Sequence, residues 1–308
     1  MKRNIILMGG KTHVISLPLK WVKKYGIKKG EELEILEQDN QLTVFANNPP
    51  VGKKIKLNLE NSNIALIVRN ISNCYQLGYS EIELLFDKKS LNEKSGKTQT
   101  SLSIIQDTCD QLIGFEILDQ KDTYCKIKDI AGNDINEFKN ILRRLFLMLN
   151  SFGTDTLKNI NKTRQLSELH RKHIAIRKYV SYCQRYLNIK GLQDKTSQYN
   201  ELVIRLLDTS RVYRFIAKNQ STKKNKYSKE VLDIFNETIS LQKDFYNLFY
   251  KFSNSKASEL TQKRVDIFKK INKLNLGKED LILLHRLTPI LNTILSLTSL
   301  SISINFEN

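Results

Sequence analysis

The C-terminal half of the chain carries a helical apolar pattern, which constrains the fold more than any other feature of this 308-residue sequence. In the segment 135–152, apolar residues fall at 138, 141, 142, 145, 146, 149 and 152, along one face of a helix. The pattern continues in further segments, separated by short polar or glycine-containing breaks: 160–188, 195–219, 227–252, 256–274 and 278–304. Long helices joined by short loops pack as antiparallel neighbours. We therefore predict an all-α helical bundle over residues 134–308.

Residues 53–130 mix the helical period with the alternating period of strands, as a small α/β unit does. The predicted elements are helices at 63–78 and 101–114, a strand at 81–86, and a hairpin of strands at 115–120 and 123–130. This unit is predicted to connect the bundle to the N-terminal part of the chain.

Residues 1–48 form short, turn-rich segments typical of a small β domain. Strand composition occurs at 13–17, 32–36 and 42–46. A short helix is predicted from Pro18 to Gly26, because proline favours helix starts and glycine favours helix ends. The pair Pro49–Pro50, followed by Gly52, marks a linker after this domain. The chain as a whole is predicted to be an α+β multidomain protein.

The N-terminal domain concentrates positive charge. The chain carries a formal net charge of +18, and its first thirty residues contain eight lysines and arginines but no acid before Glu31. Such a surface favours a polyanionic partner such as DNA, because bound phosphates release condensed counterions from the nucleic acid. The predicted DNA-contacting residues are Arg3, Lys11, Thr12, His13, Lys20, Lys23 and Lys24. The alternative to a DNA-contacting surface is that these lysines form a solvated face of the protein.

The tetrapeptide Gly9-Gly10-Lys11-Thr12 looks like the end of a phosphate-binding P-loop, but its surroundings do not fit one. A P-loop has a glycine six positions before its lysine, where this chain has Ile5. It also opens a helix, whereas here the β-patterned run "HVISLP" follows. We therefore interpret the motif as a glycine turn that leads into a strand.

The segment "GGKTHVISLPLKWVKKYGIKKGEELEILEQDNQLTV" resembles the AbrB/SpoVT/MazE-type swapped-hairpin DNA-binding domain. Its Leu17-Pro18 strand end, its Trp21 in a short helix and its Gly26 stand in the order and spacing of that family. The resemblance implies that two copies interleave their strands into one dimeric unit whose basic loops face DNA. About 45 residues without disulfide or metal bury little surface alone, which agrees with obligate dimerisation.

The remainder of the chain resembles archaeal proteins that join such a domain to a PhoU-like helical bundle, through "YQLGYSEIELLF", "QLIGFEILDQ", "ILRRLFLML" and "YCQRYLN". The resemblance implies a homodimeric, DNA-binding transcriptional regulator of phosphate uptake. The alternative is a cytoplasmic adaptor, dimerised by its N-terminal domain, that docks a phosphate transport or signalling protein through the bundle.

Many PhoU-like proteins bind metal clusters through paired carboxylates, and this chain departs from that pattern. The corresponding positions fall on His173, Arg177, Leu207 and Arg211. Arginines do not coordinate a hard cation, so we expect no metal cluster. A slip of one turn in the alignment would instead bring Asp208 or Glu201 to these positions.

Two of these positions have a further interpretation. Arg177 and Arg211 are candidates for an anion site, because a guanidinium pairs bidentately with phosphate; the alternative is two exposed or salt-bridged arginines. His173 is spaced seven residues from both Leu166 and Val180 on the apolar seam, so we expect it in the core or an interface.

Other sequence features argue against an enzyme and against a membrane protein. The histidines at 13, 170, 173 and 285 accompany no nucleophile or carboxylate constellation, and no cofactor motif is found. The four cysteines are scattered, which favours reduced thiols. The apolar C-terminal run is rich in serine and threonine and opens near a proline, so we expect a buried helix, no membrane insertion and a cytoplasmic protein.

Overall fold

The chain divides into two units, Met1–Ile55 and Lys56–Asn308. This division is observed in a computed structural model that describes residues 2–38, 41–46, 53–88, 90–92, 98–130, 135–160, 166–192, 194–220 and 227–306. The mixed α+β class predicted from the sequence is confirmed, with strands towards the N-terminus and helices towards the C-terminus. The predicted linker at residues 49–52 lies outside the described residues.

In its described residues, the N-terminal unit has two β-hairpins and one short helix. Its elements are β1 (Ile5–Met8), β2 (Thr12–Ile15), α1 (Leu19–Tyr25), β3 (Glu34–Gln38) and β4 (Gln41–Phe45). The strands pair antiparallel, β1 with β2 and β3 with β4. The sequence pattern missed β1, whose four residues are all apolar and therefore show no alternation. The strand predicted at 32–36 begins two residues later.

The helix α1 has the predicted end signals. The carbonyl of Pro18 accepts hydrogen bonds from the backbone N–H groups of Trp21 and Val22, which starts the helix. Gly26 ends it in the left-handed conformation, at φ +64°.

The first part of the larger unit is a four-stranded sheet with two helices. Its elements are β5 (Lys54–Asn58), α2 (Ile64–Gln76), β6 (Glu81–Leu85), β7 (Ser90–Asn92), β8 (Thr98–Thr100), α3 (Ser101–Cys109), β9 (Phe115–Lys121) and β10 (Tyr124–Asp129). The sheet order is β5-β6-β10-β9, with β10 antiparallel to both neighbours. The side chains of Asn63 and Thr100 cap α2 and α3 by accepting backbone hydrogen bonds. This part agrees with the predicted α/β unit, although β5, β7 and β8 were not predicted.

Six long helices follow and form the bundle. They are α4 (Ile135–Lys158), α5 (Leu166–Ile189), α6 (Thr196–Gln220), α7 (Lys229–Tyr250), α8 (Asn254–Ile271) and α9 (Lys278–Ile304). Their apolar faces share one core, and α5 also packs against α2 of the α/β part. The sheet and the bundle therefore belong to one unit.

A polar chain crosses the core of the bundle and links three helices. The Tyr213 hydroxyl of α6 donates to Oε1 of Gln242 on α7, at 2.8 Å. Nε2 of Gln242 donates to Oδ1 of Asn150 on α4, at 2.7 Å. Buried polar groups require such partners, so this chain sets the register of the three helices.

The C-terminal helix α9 occupies the position expected for a core helix. Among the described residues, it is the one helix with the length and apolar composition of a membrane span. Its Leu287, Ile290 and Leu291 are fully buried, and the helix packs against α6 and α7. This burial is compatible with a helix at the core of a soluble bundle.

Candidate functional site

The first group of predicted DNA-contacting residues lies at the tip of the β1–β2 hairpin. Gly9 and Gly10 have φ angles of +59° and +73°, a conformation that glycine adopts without strain. Lys11 completes the turn, and Thr12 and His13 begin β2. The side chains of Lys11, Thr12 and His13 are exposed. The Gly-Gly-Lys-Thr motif is therefore a hairpin turn, as the sequence analysis indicated, and not a loop that opens a helix.

The second group lies on α1. Lys20, Lys23 and Lys24 are spaced three and four residues apart, so they occupy one side of the helix. All three side chains are exposed, as is that of Arg3, which precedes β1. The ammonium of Lys24 lies 5.3 Å from the centre of the Tyr25 ring, a cation–π contact that leaves its charge available.

Three of the predicted DNA-contacting lysines are not neutralised by acids in the described part of the N-terminal unit. In the described part of this unit, the side chains of Lys11, Lys20 and Lys23 make no ion pair and no hydrogen bond. Glu31 accepts a hydrogen bond from the backbone N–H of Lys28, at the turn after α1. The lysines therefore present their full charge to solvent.

The N-terminal unit exposes apolar side chains on both faces of its first strand. Ile5, Ile6, Leu7 and Met8 are 68, 55, 56 and 58% exposed, and none of the side chains of β1, β2 and α1 is buried. Leu17 and Trp21, which we expected in a core, are half-buried in the single chain. Apolar surface of this extent on one strand marks an interaction site in a folded protein.

A second candidate site, on the helical bundle, is formed by α5 and α6. Nδ1 of His173, which is 2% exposed, lies 3.0 Å from Oγ of Ser210. The Ser210 hydroxyl donates its proton to the carbonyl of Leu207, at 2.9 Å, so it accepts from the imidazole. The expectation that His173 lies in the core is confirmed.

The environment of His173 keeps the imidazole neutral. Burial, and then the charges of Arg214 and Arg177, lower its pKa to about 3. Neighbouring His170 and Arg211 act in the same direction. In this neutral imidazole, Nδ1 carries the proton that is donated to Ser210, and Nε2 carries none.

The charges of three arginines act on His173, and we refer to Arg177, Arg211 and Arg214 as the arginine cluster. The Arg177 side chain is exposed, but partial desolvation of its guanidinium, and then the charges of Arg214 and Arg211, lower the pKa of Arg177. Arg211 forms an ion pair with Asp208, with 2.6 Å between Nη1 and Oδ1. Within the described residues, Arg177 and Arg214 have neither an ion pair nor a hydrogen-bond partner.

The candidate anion site predicted from the sequence consisted of Arg177 and Arg211, and Arg211 is exposed and paired with Asp208, as in the alternative stated with that prediction. The prediction did not include Arg214, which lies three residues after Arg211 and acts on the pKa of Arg177. It also missed His170, which lies three residues before His173 and whose pKa is lowered by desolvation and by Arg214 and Arg177. The signal available in the sequence was the spacing of three and four residues, which places these groups on one face of each helix.

The residues that the structure describes contain no group of three or more histidine, cysteine, aspartate or glutamate side chains arranged to hold a metal ion. Asp208 and Glu201, the carboxylates that a one-turn slip would bring to the family positions, pair with Arg211 and Arg205. All four cysteines are free and buried. Burial raises the pKa of the Cys109 and Cys125 thiols to about 12, which disfavours the reactive thiolate.

Three comparisons with known proteins add no relative to this description. No family model, no curated protein and no solved structure matches the chain.

Proposed function

We propose that this protein is a homodimeric DNA-binding transcriptional regulator whose N-terminal unit contacts DNA. One observation carries the proposal: an exposed, acid-free set of cations lies on a small unit that leaves its apolar residues uncovered. A second copy of the unit would cover the apolar residues and would double the cationic surface. The proposed function does not involve catalysis.

The two groups of cations would have different roles at the DNA. Lys20, Lys23 and Lys24 present ammonium groups from one side of α1, suited to phosphate contacts that set affinity without reading sequence. Lys11, Thr12 and His13 project from a narrow hairpin tip and combine a cation with short polar groups, suited to contacts with base edges. Arg3 would add a phosphate contact.

The resemblance described above suggests regulation of phosphate uptake as the biological role. In that proposal, the bundle is the regulatory part. The adaptor function is the competing outcome: the N-terminal unit would then dimerise without binding DNA, and the bundle would hold a transport or signalling protein.

A salt series with charge-matched variants tests DNA binding. The full-length protein is titrated onto labelled duplex DNA from 50 to 300 mM salt, with fluorescence anisotropy as the readout. We expect the double variant K11E/K23E to bind at least tenfold more weakly, and the slope of log K against log salt to fall in magnitude by about 2, because two phosphate contacts are lost.

The control variant K139E/K273E makes the same change in net charge on exposed lysines of α4 and of the segment after α8. We expect it to bind DNA nearly as the wild type does. Equal losses in both double variants would mean that overall charge, not the N-terminal unit, drives binding. No DNA binding at physiological salt would favour the adaptor function.

A further inference from the structure

We propose that Arg177 and Arg214 of the arginine cluster bind a phosphate-type oxyanion between α5 and α6. This site lies on the bundle, goes beyond DNA binding by the N-terminal unit, and does not rest on it. The geometry of the two helix faces, the balance of charge and the chemistry of the donors each support this site.

The hydrogen bond between His173 and Ser210 establishes which faces of α5 and α6 meet. Long helical side chains lean towards the N-terminus of their own helix, so Arg177 leans towards the level of His173 and Arg214 towards that of Ser210. Each arginine stands one helical turn after a member of the hydrogen-bonded pair, so both guanidinium groups can reach towards that bond from different helices. The mutual effect of their charges agrees with this convergence.

Among the described carboxylates of α4, α5 and α6, none forms an ion pair with Arg177 or Arg214. Asp208 is engaged by Arg211, and Glu201, further towards the start of α6, pairs with Arg205. On α5, Glu168 lies two residues before His170, a spacing that turns it away from this face. On α4, which packs against both helices, Asp155 pairs with Lys172. Like charges held together repel, and a bound anion would relieve that repulsion.

The donors suit a tetrahedral oxyanion with more than one negative charge. A guanidinium presents parallel N–H groups that match two phosphate oxygens, and it keeps its charge when partly removed from water. Arg177 and Arg214 together would supply two such forks, and the exposed imidazole of His170 would supply a third donor. Ile176 and Tyr213, which directly precede Arg177 and Arg214 in the sequence, are buried in the core of the bundle.

Calorimetric titration of the full-length protein tests the site, with inorganic phosphate, pyrophosphate and ATP as separate probes at constant ionic strength. We expect saturable binding to the wild type and at least tenfold weaker binding to R177A/R214A. The control R171A removes one arginine of α5 that is exposed and lies outside the cluster, and we expect its affinity to match the wild type. Tight binding of inorganic phosphate would identify the free ion as the ligand. A strong preference for ATP would instead identify the phosphoryl group of a nucleotide as the ligand.

Thermal unfolding supplies a second readout that does not depend on knowing the ligand's source. Without added anion, we expect R177A/R214A to unfold at the same temperature as the wild type or higher, because repulsion is removed from an exposed position. With a saturating concentration of the tightest-binding probe, we expect the wild type to unfold at the higher temperature. The order of the two unfolding temperatures then reverses. The proposal is overturned if chloride at the same ionic strength reproduces the effect, or if wild type and R177A/R214A respond alike to all three probes.

Discussion

The guanidinium of Arg185 and the carboxylate of Asp129 form a buried ion pair, with 2.5 Å between Nη2 and Oδ2, that joins the bundle to the sheet. Nη1 of Arg185 also donates to the carbonyls of Tyr75 and Tyr79, at 2.6 and 2.9 Å. The guanidinium lies 4.8 Å from the centre of the Tyr75 ring. One side chain of α5 thus holds the end of β10 and the end of α2 together.

We predict that Arg185→Met lowers the free energy of unfolding by about 3–5 kcal/mol, because Asp129 and two carbonyls lose a cationic partner inside the protein. Urea denaturation followed by circular dichroism measures the change. The control Arg205→Met breaks the exposed pair with Glu201 and should cost less than about 1 kcal/mol. Equal effects of the two substitutions would contradict the role of Arg185.

We predict that His173 makes the protein lose stability in acid. The unfolded imidazole takes up a proton near its ordinary pKa of 6.5, whereas the folded one stays neutral down to about 3. Between these values the unfolded state binds more protons, so stability falls as pH falls, by up to about 1.4 kcal/mol per pH unit. Above pH 6.5 His173 is neutral in both states, so none of this stability is lost.

Urea unfolding at pH 7, 6, 5 and 4 checks this prediction. We expect His173→Gln to show a shallower loss of stability than the wild type over that range, whatever its effect at pH 7. The matched control is His285→Gln, which replaces an exposed histidine of α9 and should keep the wild-type slope. If the free energy of unfolding falls with pH equally in the wild type and both variants, His173 is not the source of the loss of stability in acid.

We predict that charge on either face of β1 disrupts the dimer. Ile6→Asp and Leu7→Asp lie on opposite faces of the strand, and burying either carboxylate in a partner's apolar surface would cost enough to raise the dissociation constant about tenfold or more. Sedimentation velocity over a concentration series gives the constant. Leu118→Asp, on an exposed apolar residue of β9, is the control and should leave the dimer intact. A monomeric wild type would refute the prediction outright.

We predict that Gly153→Ala destabilises the bundle. A Cβ at this position would lie 2.8 Å from Cζ and Oη of Tyr213, a ring that is fully buried and tied to Gln242. The overlap should cost about 1–3 kcal/mol, which offsets or exceeds the gain of about 1 kcal/mol in helix propensity. Thermal unfolding measures the net change. Gly277→Ser, where a Cβ meets no atom within 4 Å, should be neutral or stabilising.

The helices were predictable because each of them buries one stripe of its own residues. The predicted span 278–304 coincides with α9. At most of the other helix ends, the observed boundary differs from the predicted boundary by a few residues. The buried position of His173 followed from the same periodicity. The strand β1 was missed because a strand that is apolar on both faces carries no alternation, which is itself the property that points to a partner.

The sequence by itself determined the helical bundle, the α/β segment before it and the acid-free stretch that ends at Glu31. The tertiary structure alone decided that His173 meets Ser210, that Arg214 joins Arg177, and that Arg185 reaches Asp129. These partners stand between 37 and 56 residues apart along the chain. Periodicity specifies which face of a helix is buried, but the packing of whole helices against one another selects the residue that each face meets.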